Sequence, residues 1–132
     1  MFFNISNHPA HAEKTTWTKE QIAEANAIAG EVVDLPFPVV KPEMSDDTIA
    51  QISKAVALDV RGMANGQPAA AMVAGEYVTT IRLIAELQKF GIDCYFGQSE
   101  RVAEEREENG TLVVVHVFKF RGFRKAPAIQ IV

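Results

Sequence analysis

Short apolar runs alternate with segments of helical spacing, and that alternation constrains the fold of this chain more than any other feature. The runs are Phe2-Phe3-Asn4-Ile5, Glu31-Val32-Val33-Asp34-Leu35, Ala69 to Ala74, and Ile92 to Phe96. Between the first two, Thr18 and Gln21 make a capping-box pattern ahead of Ile22, Ala25 and Ala29. Ser45, followed by Asp46 and Asp47, opens a stripe of Ile49, Ile52, Val56 and Val60. Tyr77 to Phe90 carries a third stripe, read as Ile81, Ile84, Ala85 and Leu87. Strands apolar on both faces, with helices between them, predict a mostly parallel sheet covered on both sides.

The C-terminal part changes character. Asn109-Gly110 is a strong hairpin signal, and the β-branched and aromatic run Thr111 to Phe120 follows it. The opposite arm, Val102 to Glu107, is polar and reads as a solvated edge strand, with a helix and loop as the alternative. The expected order is β-α-β-α-β-α-β-β: an α/β three-layer sandwich with a C-terminal antiparallel hairpin. A single domain over residues 1–132 is expected, with 126–132 as either an extra edge strand or a tail that packs on a partner chain.

Composition excludes several classes of function. A formal net charge of −4 argues against binding long nucleic acid, although Lys119, Arg121, Arg124 and Lys125 cluster locally. The one cysteine, Cys94, cannot form an intramolecular disulfide and reads as a small core residue. No apolar run approaches the ~18 residues of a membrane span, and the N-terminus lacks the pattern of a signal peptide. A soluble, cytoplasmic protein with no membrane association is expected. Cys-x-x-Cys, His-x-x-x-His, dinucleotide and P-loop patterns are all missing, so neither metal nor cofactor is expected.

Three polar signatures follow apolar runs: Ser6-Asn7-His8-Pro9, Gly75-Glu76 and Gln98-Ser99-Glu100-Arg101. If those runs are parallel strands, all three signatures emerge at the carboxyl edge of one sheet, where open α/β folds bind ligands. Asn7 can donate and accept at a base or phosphate, and His8 can move a proton; the same loop also reads as a simple turn. Gly75 permits close backbone approach. Glu76 is either a ribose or base contact or a carboxylate at a helix start, and Tyr77, Thr79 and Thr80 add a ring and hydroxyls. Arg101 has a planar fork suited to phosphate, Ser99 places a hydroxyl nearby, and Glu100 either orients that fork or faces solvent. His11 reads as exposed and His116 as structural.

Taken together, Ser6-Asn7-His8-Pro9, Gly75-Glu76, Ser99-Glu100-Arg101 and the ending Phe118 to Arg124 resemble the small CRISPR-associated Rossmann-like proteins related to CARF domains. The resemblance implies a homodimer that binds a cyclic oligoadenylate across its two-fold axis, in control of antiviral signalling. It also implies either sequestration or metal-free ring cleavage to products ending in a 2′,3′-cyclic phosphate. His8, Glu76 and Arg101 would then be the catalytic candidates, with Ser6, Asn7, Gly75, Tyr77 and Ser99 completing the binding set. Two other classes stay open. One is a noncatalytic interaction module using Phe118 to Lys125 and the tail. The other is a nucleotide or nucleoside hydrolase or transferase with Glu76 as base or nucleophile.

Overall fold

The computed structural model describes residues 1–11 and 17–132. In chain order these form β1 (Phe2–Ile5), α1 (Lys19–Ala29), β2 (Val32–Leu35), α2 (Asp46–Ala64), β3 (Ala70–Val73), α3 (Tyr77–Lys89), β4 (Asp93–Glu108) and β5 (Thr111–Lys125). That is the expected order. The strands make one sheet, β2-β1-β3-β4-β5, parallel through the first four and antiparallel between β4 and β5. The chain steps from β1 outward to β2, then returns past β1 to β3. The carboxyl ends of β1 and β3 therefore flank the point where an open sheet leaves a crevice.

Strand alternation divides the core into two layers. Phe3 and Ile5 face α2 and α3 and pack with Val60, Val73, Leu83, Ile84 and Leu87. Phe2 faces α1 and packs with Trp17, Ala25 and Met72. Its ring also meets Tyr95 and Phe123 at centroid distances of 6.2 and 5.1 Å. Burying each such side chain contributes about 1.5–3 kcal/mol. Helix starts follow the expected chemistry. The Thr18 hydroxyl accepts from the Gln21 N–H while Gln21 Oε1 accepts from the Thr18 N–H, and Ser45 caps α2 through the Thr48 N–H. Cys94 is wholly buried, and burial pushes its thiol up to about 12, which suits the expected core role.

Several expectations need correction. Ile81 is 48% exposed, and the buried stripe of α3 runs through Thr80, Leu83, Ile84 and Leu87. β4 does not stop at Phe96. It continues as one strand to Glu108, so Ser99-Glu100-Arg101 lies within the hairpin rather than in a loop. A polar strand persists there because β5 pairs its backbone to the Asn109-Gly110 turn, where both residues adopt the positive φ that a two-residue hairpin loop requires. The acidic arm is thus a strand, as expected. His116, opposite Ala103 on β5, is exposed rather than structural.

The tail forms no strand, and its first residues are held within this chain. Ala126 N–H donates to Cys94 O at 2.8 Å, Gln88 Nε2 donates to Pro127 O at 2.9 Å, and Gln88 Oε1 accepts from Ile129 N–H at 2.8 Å. Pro127 cannot donate to a ladder, and one glutamine of α3 holds the segment instead. The basic cluster is also largely neutralised across the hairpin. Lys119 pairs with Glu104 at 2.8 Å, Arg121 with Glu100 at 2.8 Å, and Lys125 with Asp93 at 3.4 Å. Each exposed pair contributes only ~0–1 kcal/mol, but together they offset three of the four charges and leave Arg124 without an ion pair among the described residues.

Gly75 owes its identity to packing. A Cβ there would lie 2.5 Å from the Phe37 ring, far inside contact distance. Gly75→Ala should therefore cost about 1–3 kcal/mol through overpacking. In thermal melts the double variant Gly75→Ala/Phe37→Leu should lose less than the sum of the single losses. Full additivity would remove the contact as the cause.

Candidate functional site

Two polar side chains interrupt the apolar strands, and both serve the loop after β1. Asn4 is 1% exposed on the α1 side of β1, and Asp34 sits beside it on β2 in parallel register. Asn4 Nδ2 donates to Asp34 Oδ1 and to His8 O, each at 2.9 Å. Asp34 also accepts from the Ala10 N–H at 2.8 Å and the His11 N–H at 3.0 Å. Ser6 Oγ donates to Asn4 Oδ1 at 2.7 Å and accepts from the His8 N–H at 3.1 Å. His11 adds a contact from Nε2 to Val32 O at 3.0 Å. The loop is therefore braced from beneath by a charged acceptor and a buried amide.

Burial alone would raise the Asp34 pKa. The N–H groups of Ala10 and His11, the Asn4 amide and the nearby His11 more than reverse this, and the carboxyl lies below its ordinary value. The carboxylate form is what holds the loop.

Ser6 and His8 line a cleft of about 210 Å³ at the carboxyl ends of β1 and β3. Its opposite side comes from Gly97 and Ser99 of β4, with Met72 and Ala74 beneath and the rings of Trp17 and Phe120 beside it. Gln21 also reaches the cleft; its Oε1 is committed to the Thr18 N–H, which leaves the Nε2 donor for the cavity. An irregularity at Gln98/Ser99 shapes this wall: Gln98 pairs with Gly122 and Ser99 with Phe120, so Arg121 is an extra residue on β5. Such a bulge bends and twists the strand next to a site.

The other candidates are placed as follows. Asn7 is exposed on the loop and does not line the cleft. Arg101 lies two residues beyond Ser99, on the same face of β4 because side chains alternate, and opposite Phe118. It makes no ion pair among the described residues. Glu100 does not orient it, since Glu100 accepts from Arg121. Glu76 caps α3: Oε1 accepts from the Val78 N–H at 3.0 Å, and Oε2 from the Thr79 N–H at 2.7 Å and the Thr79 hydroxyl at 2.6 Å. The Thr79 hydroxyl and the helix amides hold its carboxyl below the ordinary value. Tyr77 is 86% exposed and Gly75 is occupied by the Phe37 ring; neither lines the cleft.

The structure thus brings Ser6, His8 and Ser99 into one cavity, sets Arg101 at its margin, and commits Glu76 to a helix. Sequence reasoning missed Asn4, Asp34, Trp17, Gln21 and Phe120. For the first two a signal was present: an amide and a carboxylate inside short strands otherwise buried must find partners. A larger depression of about 700 Å³ lies at the opposite sheet edge, near Arg61 and Gly66. Arg61 already covers the Phe90 ring at 4.7 Å, and the depression sits away from the switch point. Among the described residues no three His, Cys, Asp or Glu side chains converge on a metal position, and no helix is long and apolar enough to cross a membrane.

Residues 1–124 match the model of the Uncharacterized protein MJ1673 family, and the chain belongs to that family. No curated protein and no solved structure matches it.

Asp34→Asn should lower stability by about 2 kcal/mol, since hydrogen bonds to a charged acceptor contribute roughly 1.5–3 kcal/mol each. The sign with pH follows from the lowered folded value. The contribution is complete above the unfolded carboxylate value and is lost as pH falls through the folded one, at and below about pH 4. Melts of the native chain should therefore weaken more steeply below that pH than melts of Asp34→Asn. Parallel curves would show that the charge does no structural work.

Proposed function

We propose that this member of the family binds a cyclic oligoadenylate at the carboxyl-edge cleft, with two copies sharing one ring. The observation that carries the reading is the convergence of Ser6 and His8 from the first loop with Ser99 from β4, beside the unpaired Arg101. The Ser99 hydroxyl, the His8 imidazole and the unpaired Arg101 guanidinium suit ribose and phosphate, and the Trp17 and Phe120 rings suit a base face. At about 210 Å³ the cleft is smaller than the roughly 300–1,000 Å³ of typical ligand pockets. It accommodates part of a nucleotide ring, and the remainder must lie over the hairpin face or in a second copy. A symmetric ring matches a two-fold pair of such clefts.

Metal-free cleavage is the chemistry open to this site. A ribose 2′-oxygen would bond to the adjacent phosphorus while the bond from phosphorus to the 5′-oxygen breaks, leaving a 2′,3′-cyclic phosphate. In that step His8 would take the hydroxyl proton or return one to the leaving 5′-oxygen, and Arg101 would meet the charge on phosphorus. Such a protein would act in the cytoplasm, in control of antiviral signalling. The alternative with Glu76 as base or nucleophile is disfavoured, because both carboxylate oxygens accept from α3. An interaction module built on the basic ending and tail is disfavoured because three of those cations are paired in cis and the tail is held by Gln88.

Calorimetric titration with cyclic tri-, tetra- and hexa-adenylate should show one ring bound per two chains, and chromatography of the same mixtures would reveal linear products. Arg101→Ala should weaken binding at least tenfold, about 1.4 kcal/mol, with little change in Tm. His8→Ala should abolish any cleavage while binding persists. Glu76→Gln should lower Tm and leave affinity unchanged. Absence of heat with every ring overturns the reading.

A further inference from the structure

β5 is the last strand of the sheet, and much of its outer edge is covered by no described residue. Near its base the edge is guarded: Glu24 Oε1 accepts from the Phe123 N–H at 2.8 Å, next to the bulge at Arg121. From Thr111 to Phe118 no backbone group has a partner outside the β4–β5 ladder among the described residues. That stretch is rich in valine and contains no proline. Leu112, Val114 and Phe118 are 72%, 63% and 76% exposed on one face. A long, apolar, unprotected edge strand is a template for another strand, and natural chains either protect such edges or pair them.

We infer that the β5 edges of two copies of this chain pair antiparallel about a two-fold axis, joining two sheets into one. Charge complementarity selects a second copy as the occupant. Glu105, Glu107 and Glu108 crowd the tip of the hairpin, and Arg101 and Arg124 lie toward its base; none of the five has an ion-pair partner among the described residues. Antiparallel pairing centred within Val113–Val117 sets the acidic tip of each copy toward the basic base of the other. That self-complementarity is what an isologous interface needs. The axis is normal to the sheet, so the exposed Val114 and Phe118 of both copies share one face. Ser99 and Phe120 alternate onto that face too, and both clefts therefore open on the same side.

This inference stands apart from the ligand, and its test uses the full chain without nucleotide. Sedimentation equilibrium over micromolar concentrations should give the mass of two 14.5 kDa chains. Val114→Lys, at an exposed position, puts like charges near the axis and should raise the dimer dissociation constant at least tenfold with an unchanged circular dichroism spectrum. Single cysteines placed in turn at positions 113 to 117 should include at least one that forms an intermolecular disulfide in the folded protein, and its position gives the register. The inference is overturned by a single-chain mass at every concentration. It is equally overturned by open-ended assembly, or by a dimer that neither weakens with Val114→Lys nor cross-links through the arm. Pairing through this edge sets the Ser99 residues of the two copies roughly 30 Å apart, so this dimer gives each cleft its own ligand and a ring shared between two clefts needs another interface; titration with cyclic nucleotide therefore tests a separate reading.

Discussion

The hydrogen bond between Asn4 and Asp34 connects sheet to loop, and the rest of the site depends on it. β1 is buried on both faces, so a polar side chain within it costs free energy unless fully partnered. Asn4 resolves that cost by spanning from the Asp34 carboxylate to the His8 carbonyl, with Ser6 closing the circuit onto its own oxygen. The carboxylate, in turn, has two backbone N–H groups of the loop to hold. A side chain that would be a defect in an ordinary strand becomes the fixed point from which His8 is positioned at the cleft.

The hairpin supplies the second wall and shows how local charge can mislead. Its basic residues look like an anion-binding surface when counted along the chain, and its acidic residues look like a separate solvated segment. Folded, the two are cross-strand partners, because β4 and β5 run antiparallel over their whole length. Arg101 escapes this pairing: its neighbours Glu100 and Glu104 are taken by Arg121 and Lys119. It remains the cation available at the cleft margin, next to an exposed phenylalanine.

Much of the scaffold was legible because the cues were local. Thr18 with Gln21, Ser45 before two aspartates, Asn109-Gly110 and the short apolar runs each act within a few residues, and each produced the expected element. Legibility failed where a distant partner decided the outcome. Ser99 and Arg101 were expected in a loop because polar residues follow Phe96, but β5 pairs with that backbone and keeps it extended. Glu76 had two readings, and the geometry of the first turn of α3 gave both carboxylate oxygens to the helix. Gly75 is required by Phe37, far away in sequence, rather than by a ligand.

By itself the sequence determined the order of elements, the parallel sheet with its hairpin, and the edge at which Ser6 and His8 emerge. Those follow from spacing, capping and turn chemistry, which act along the chain. Only the tertiary structure decided that Asn4 and Asp34 brace the first loop, that Trp17, Gln21 and Phe120 join the cleft, and that Ser99 faces His8 across it. Those are contacts between elements far apart in sequence. They depend on strand register, on the bulge at Arg121, and on which face each side chain takes. Periodicity specifies a face for each element, and packing chooses the neighbour that face meets.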